Sequence, residues 1–267
     1  MLTSGSVAFI TGAARGQGRS HAIELARAGA DIIGVDLCED LPYLDYPLGT
    51  MDELVETQRE VEALGRRMFI AQADVRDRDA LADAFERGVA DLGDCTIVLA
   101  NAGICPLTIG DQRREQWQHV LDVNLTGVWH TIEVAKQSLI DNGGGCIIIT
   151  SSTSGLKGDC GDSPGGLSYS VSKHAVIGLM RSYANVLAPH MIRVNSLHPT
   201  GVNTPMIVNP ATDDWLKKVD IDLENLMPLP MVEPIDVSNA VLYLAGESGR
   251  YITGVELPVD AGYNVKN

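Results

Sequence analysis

The chain has 267 residues, 45% hydrophobic and 21% charged, with 20 Lys and Arg against 35 Asp and Glu and a net charge of −15. That length buries a full core in one large α/β domain or two small ones. The acidic balance argues against binding to nucleic acid or an anionic membrane surface, which both require clustered cations.

Five widely spaced cysteines contain no C-x-x-C pair, and no basic residue precedes Arg15. Neither a disulfide framework, a zinc ribbon nor a secretory signal is therefore expected. No apolar run has the length of a membrane span, so the expected setting is a soluble protein of the reducing cytoplasm.

In chain order, Val7–Thr11 reads as a strand and runs into Thr11-Gly12-Ala13-Ala14-Arg15-Gly16-Gln17-Gly18, with a helix over Gly18–Ala28. Glycines at such a turn let the backbone approach a pyrophosphate, and the following helix N-terminus offers unpaired N–H groups and its positive dipole end. The second strand, Asp31–Asp36, ends eighteen residues past Gly18. A carboxylate there accepts hydrogen bonds from adenosine ribose hydroxyls and repels a 2′-phosphate. Arg15 argues the other way, because a guanidinium can pair with that phosphate. Asp36 stands where the hydroxyl must lie, so the reading is NAD rather than NADP, with Leu37 beside it.

Glu39–Met51, with two prolines and two tyrosines, interrupts the passage to the next helix, Asp52–Leu64. Then follow strand Arg67–Ala71, helix Arg78–Leu92, strand Thr96–Ala100, a long helix Arg113–Ile140 and strand Cys146–Ser151. Helix Ser168–Leu187, strand Arg193–Leu197, helix Pro234–Ala245 and strand Val255–Val259 complete the chain. Ile97-Val98-Leu99 and Ile147-Ile148-Ile149 lack polar alternation, as in parallel strands covered on both faces. The pattern predicts one α/β domain over residues 1–267, a Rossmann-like, doubly wound sheet of seven parallel strands. The Pro-, Met- and Leu-rich stretch 199–231 falls at its carboxyl edge, where open α/β sheets bind ligands.

Tyr169 and Lys173 are four residues apart on a predicted helix and so share one face. A phenol is a poor base at neutral pH, and a neighbouring ammonium lowers its pKa. Alcohol oxidation needs such a group to take the hydroxyl proton. Thr150, Ser151 and Ser152 end the fifth strand, Asn101-Ala102-Gly103 follow the fourth, and Asp122-Val123-Asn124-Leu125-Thr126-Gly127 lies in the long helix.

With the glycine turn, Asp74-Val75 and His198-Pro199-Thr200-Gly201, these motifs stand in the order of a single-domain short-chain dehydrogenase/reductase, which the chain resembles over nearly its whole length. The resemblance implies a catalytic set of Asn124, Ser152, Tyr169 and Lys173. Tyr169 is then the general acid/base, and Lys173 binds the nicotinamide ribose and lowers the phenol's pKa. Ser152 holds the substrate oxygen, and Asn124 anchors a water that links Lys173 to solvent. The implied cofactor contacts are Gly12, Arg15, Gly16, Gln17, Gly18, Asp36, Leu37, Asp74, Val75, Asn101, Ala102, Gly103, Tyr169, Lys173, Pro199, Val202 and Thr204. Of Ser151 and Ser152, the second aligns better with the family pattern.

Seventeen residues separate Ser152 from Tyr169, more than is usual in the family, and the excess is read as a flexible loop at 158–166. Gly161-Asp162-Ser163-Pro164-Gly165 in that loop formally matches a hydrolase nucleophile elbow, but lacks the strand immediately before the serine that the elbow requires.

Thr11–Ser20, Val35–Cys38, Glu62–Arg67, Asp122–Trp129 and His198–Met206 are similar to mycofactocin-associated, carveol dehydrogenase-like members. In that group an insertion after the second strand covers the bound cofactor. The resemblance thus implies non-exchangeable NAD, reoxidised in place by an external redox carrier. Leu41, Pro42, Tyr43 and Tyr46 are read as an apolar flap over the adenosine end. Pro205, Met206, Ile207, Val208, Trp215, Leu226, Met227 and Leu229 are read as an apolar lid for a hydrophobic, terpenoid-like secondary alcohol or its ketone. The alternatives are a free-NAD dehydrogenase or 3-oxoacyl reductase of other substrate, and a catalytically silent NAD-binding sensor. A homotetramer is the implied assembly, and the six histidines form no cluster that would suggest a metal.

Overall fold

Alternate residues of a strand point to opposite sides of its sheet, and in β1 (Val7–Thr11) every residue is buried. In the computed structural model, which describes residues 2, 5–107, 114–218 and 223–266, Val7 and Phe9 join one core cluster and Ala8 and Ile10 another. The division continues in β2 (Asp31–Asp36), β4 (Ile97–Ala100) and β5 (Gly145–Thr150). Ile33, Val98 and Ile147 face the first cluster, and Ile32, Leu99 and Ile148 the second. With β3 (Met68–Gln72), β6 (Ile192–Pro199) and β7 (Glu256–Val259), these form a parallel sheet of seven strands among the described residues, in the order β3-β2-β1-β4-β5-β6-β7.

Each cluster is completed by helices. Ala22 and Leu25 of α1 (Gly16–Arg27), Leu54 of α2 (Met51–Ala63) and Val241 of α9 (Pro234–Ala245) close the second. Phe85 of α3 (Arg78–Leu92), Val120 of α4 (Arg114–Leu121), Ile132 of α5 (Gly127–Asp141) and Met180 of α7 (Pro164–Leu187) close the first. Two short helices, α6 (Ser154–Lys157) and α8 (Pro210–Leu216), complete the set. Strand order reverses between β1 and β4, so the binding crevice opens beyond their carboxyl ends. Among the described residues, no helix is long and apolar enough to cross a membrane.

Two expectations need correction. Arg113 lies outside the described residues, and the remainder of the predicted helix is interrupted. Asp122–Thr126 is π-helical, with the Gly127 N–H donating to the Asp122 carbonyl, and this wider turn carries buried Asn124. Second, α7 begins at Pro164 rather than Ser168, so the end of the supposed loop is helix. Proline suits the first helical turn, and the Ser163 hydroxyl caps the helix by accepting from the Gly166 N–H at 3.1 Å. That bond also commits Ser163 to a structural task, which removes the nucleophile-elbow reading. Residues 219–222 of the predicted lid lie outside the described residues. Elsewhere, boundaries move by a few residues, as where β6 extends to Pro199.

Candidate active site

The glycine turn after β1 is built around close backbone approaches. Gly12 and Gly16 have φ of +72° and +56°, and a Cβ at position 18 would lie 1.9 Å from the Gly12 carbonyl oxygen. Side chains cap α2, α3 and α7 through Thr50, Asp77 and Ser163, whereas α1 starts after Arg15 with no side-chain cap. Its first N–H groups thus face the crevice as an anion cradle. The Gln17 Oε1 is buried with no partner. An open turn, an uncapped helix and an orphaned amide oxygen fit a dinucleotide.

A cleft of about 150 Å³ brings together Gly12, Arg15, Gly16, Gln17, Gly18, Asp36, Leu37, Asp74, Val75, Asn101, Ala102, Gly103 and Thr204. The Asp36 carboxylate accepts from the Ala14 N–H at 2.9 Å and the Cys38 N–H at 3.4 Å. Burial raises its pKa, and these N–H donors and Arg15 pull the other way. Arg15 donates to the Pro47 carbonyl, so its guanidinium is tied to the insertion. Asp74 pairs with Arg76 at 2.8 Å, and His130 holds the Val75 carbonyl at 2.9 Å. Asn101 cross-braces the crevice, donating to the Thr11 carbonyl at 3.1 Å and accepting from the Thr150 hydroxyl at 3.2 Å.

The insertion closes over this cleft, although not with all the residues expected. Leu41, Tyr46 and Leu48 line it, whereas Pro42 is exposed. Tyr43 acts as an anchor. Its ring stacks on His119 at 3.9 Å, its hydroxyl accepts from Arg76 at 3.0 Å, and its carbonyl accepts from Gln116 at 3.0 Å. The Tyr46 hydroxyl accepts from the Cys105 N–H at 2.9 Å.

A second cavity of about 310 Å³ adjoins the first, with Gln17, Asn101, Gly103 and Thr204 lining both. Ser152, Tyr169, Lys173, Pro199 and Val202 converge there. The Ser151 hydroxyl donates to the Lys173 carbonyl at 2.8 Å, while the Ser152 hydroxyl is a hydrogen-bond partner of the Tyr169 phenol. Ser152 also accepts from the Ser154 N–H at 3.1 Å, and its carbonyl is held by His198 Nδ1 at 3.0 Å. The Lys173 ammonium donates to the Thr150 carbonyl at 2.7 Å and lies 5.5 Å from the centre of the Tyr169 ring.

Burial pushes the Lys173 pKa down to about 8. It also holds the Tyr169 phenol well above its ordinary value, reinforced by Cys105 and Cys160 and opposed by the Ser152 hydrogen bond. Desolvation is the largest influence on the phenol in this pocket. The side chain of Asn124 accepts from the Ile104 N–H and donates to its carbonyl, each at 2.8 Å, and its amide also donates to the Ser172 hydroxyl at 3.4 Å. It fixes the segment beyond β4, and a Cβ at Gly103 would sit 3.4 Å from its Oδ1 and 3.6 Å from Lys173 Nζ.

Of the predicted lid, Met206, Ile207 and Trp215 line the second cavity, and Pro205 lines the cleft. Val208, Leu226 and Met227 are exposed instead, and Leu229 packs against the core.

Residues 12–264 match the sequence family described as enoyl-(acyl carrier protein) reductase. A (−)-trans-carveol dehydrogenase of Rhodococcus erythropolis is 51% identical over 98% of both chains. The chain belongs to the short-chain dehydrogenase/reductase family. The crystal structure of carveol dehydrogenase from Mycobacterium avium in complex with NAD superposes with a TM-score of 0.91, at 45% identity and 99% coverage of both chains. That of a short-chain dehydrogenase from Mycobacterium paratuberculosis bound to NAD gives 0.92 at 41%, covering 98% of this chain and 99% of the other. As a short-chain dehydrogenase/reductase, the chain is an oxidoreductase with the family's seven-stranded single domain.

Sequence reasoning missed Cys105, Cys160 and Tyr263, which also line the second cavity. The Tyr263 hydroxyl reaches the Asp159 carboxylate. No short-range pattern could have placed these residues, because loop paths and the chain's last turn bring them together.

Proposed function

We propose that this short-chain dehydrogenase/reductase is NAD-dependent and interconverts a hydrophobic secondary alcohol, of carveol-like terpenoid character, with its ketone. The observation that carries the reading is the convergence of Ser152, Tyr169 and Lys173 on an apolar cavity continuous with the glycine-turn cleft. The α1 N-terminus and Gly12 hold the pyrophosphate, Asp36 the adenosine ribose, and Lys173 the nicotinamide ribose. Asp36 and the attachment of Arg15 to Pro47 together favour a free 2′-hydroxyl. When bound, NAD supplies the hydride acceptor.

The Ser152 hydroxyl holds the substrate oxygen, and Tyr169 Oη takes its proton during oxidation. The Lys173 charge opposes the cost of forming a phenolate in the buried pocket. Asn124 acts as a positioning residue through Ile104. Met206, Ile207 and Trp215 exclude water around an apolar substrate. The insertion, fastened by Tyr43, Tyr46 and Arg15, retains NAD between turnovers, and an external carrier of the mycofactocin type reoxidises it. Exposed Trp117, Trp129 and Val186 on α4, α5 and α7 support assembly into a homotetramer.

The test is a panel of secondary alcohols assayed in parallel with an artificial electron acceptor and with free NAD. Turnover of apolar alcohols with the acceptor, lost about 10²–10⁴-fold in Tyr169→Phe at unchanged NAD content, is the expected result. A wild type inert toward every alcohol under both conditions overturns the reading.

A further inference from the structure

Two cysteines that alcohol oxidation leaves unused meet in the substrate cavity. Cys105 follows β4 and Cys160 lies between α6 and α7, and both line the cavity beside Tyr169. Their thiols are hydrogen-bond partners. Cys160 Sγ also lies 3.0 Å from the Ser154 hydroxyl and interacts with the side chain of Ser170.

A reactive thiol needs thiolate character and access. The hydrogen bond between Cys105 and Cys160 favours a thiolate on one member of the pair at the expense of the other, and Cys160 is the more accessible of the two at the cavity wall. Cys95 and Cys146 are fully enclosed, and burial pushes their pKa values up to about 12 and 11. Cys38 rises to about 12 through burial and the charge of Asp36.

We propose that Cys105 and Cys160 form a peroxide-oxidised thiol pair, closing into a disulfide across the substrate cavity that switches the enzyme off. The Cys160 thiolate attacks one oxygen of hydrogen peroxide, forming an S–O bond as the O–O bond breaks and hydroxide leaves. Sulfur is oxidised to the sulfenic acid and peroxide is reduced. The Cys105 sulfur then attacks the Cys160 sulfur. The S–S bond forms, the S–O bond breaks, and water departs with the Cys105 proton. A dithiol returns two electrons and restores both thiols. The bridge joins the segment after β4 to the loop before α7, two walls that flank Tyr169.

Loss of turnover rests on the dehydrogenase reading, whereas the disulfide does not. The experiment treats reduced full-length protein with hydrogen peroxide, maps peptides by non-reducing mass spectrometry and assays alcohol turnover. A linked peptide containing Cys105 and Cys160 is expected, with turnover down at least about tenfold and restored by dithiothreitol. Cys105→Ser and Cys160→Ser should each keep the ratio of treated to untreated turnover near one, with circular dichroism confirming folding and Cys105→Ala as a second variant. Absence of the linked peptide, a linked peptide with undiminished turnover, or equal inhibition in both serine variants overturns the proposal. The peptide map remains informative even if no alcohol is turned over, so failure of the two readings can be told apart.

Discussion

Ser151 and Ser152 carry the same hydroxyl one position apart, yet their surroundings give them different tasks. Ser151 is tied to the Lys173 carbonyl, and Ser152 reaches the Tyr169 phenol. Ser152→Ala should lower kcat about 10²–10³-fold, the scale of losing one donor to a developing oxyanion. Ser151→Ala should mainly lower the melting temperature, by the loss of a buried hydrogen bond of about 1 kcal/mol. Lys173 gives a pH signature. Its pKa near 8 means that the charge favouring the phenolate disappears above that pH. Alcohol oxidation should therefore fall on the alkaline side of about pH 8 in a kcat/KM profile, and a profile rising steadily to pH 10 would contradict the assigned role. Adjacent hydroxyls are equally visible in a sequence, and both line the cavity, but which one is left to meet Tyr169 depends on where the α7 main chain lies.

At the level of elements, α1 and α9 meet through a buried polar contact, His21 Nδ1 at 2.8 Å from the Ser238 hydroxyl. His21 Nε2 has no partner, and burial pushes its pKa down to about 3. Between pH 6.5 and 3 the unfolded chain binds a proton at this site that the folded chain refuses. This contribution to stability is complete above pH 6.5 and is lost as pH falls toward 3, with a slope approaching about 1.4 kcal/mol per unit. Urea denaturation of His21→Met should show a shallower acid decline than the parent chain.

The strands were legible because burial on both sheet faces leaves uninterrupted runs such as Ile147-Ile148-Ile149. The glycine turn and the Tyr169–Lys173 spacing were legible because their constraints act within a few residues. The π-helical turn at Asp122–Thr126 was not. No glycine or proline lies within it, and its buried Asn124 is held by Ile104, far back in the chain. Likewise the adjacency of Cys105 and Cys160 follows from two loop paths that no local periodicity encodes.

For the whole molecule, the negative charge that excluded polyanionic partners does not prevent dinucleotide binding, because the α1 N-terminus supplies a local field of opposite sign. Assembly is the property least visible in one chain. Light scattering should return four times the chain mass, and charged replacements at Trp129 should reduce it if α5 is an interface. The insertion makes its own prediction: Tyr46→Phe, which leaves the Cys105 N–H unpaired, should speed exchange of labelled NAD for bound NAD. The same hydrogen bond has a wider consequence. Tyr46 lines the cleft and Cys105 the substrate cavity, so the cover and the pocket share one wall. Lifting the cover must then disturb the second cavity. By thermodynamic reciprocity, whatever ligand steadies that wall from the second cavity strengthens dinucleotide binding by the same coupling free energy. Cover and pocket are thus two faces of one binding equilibrium.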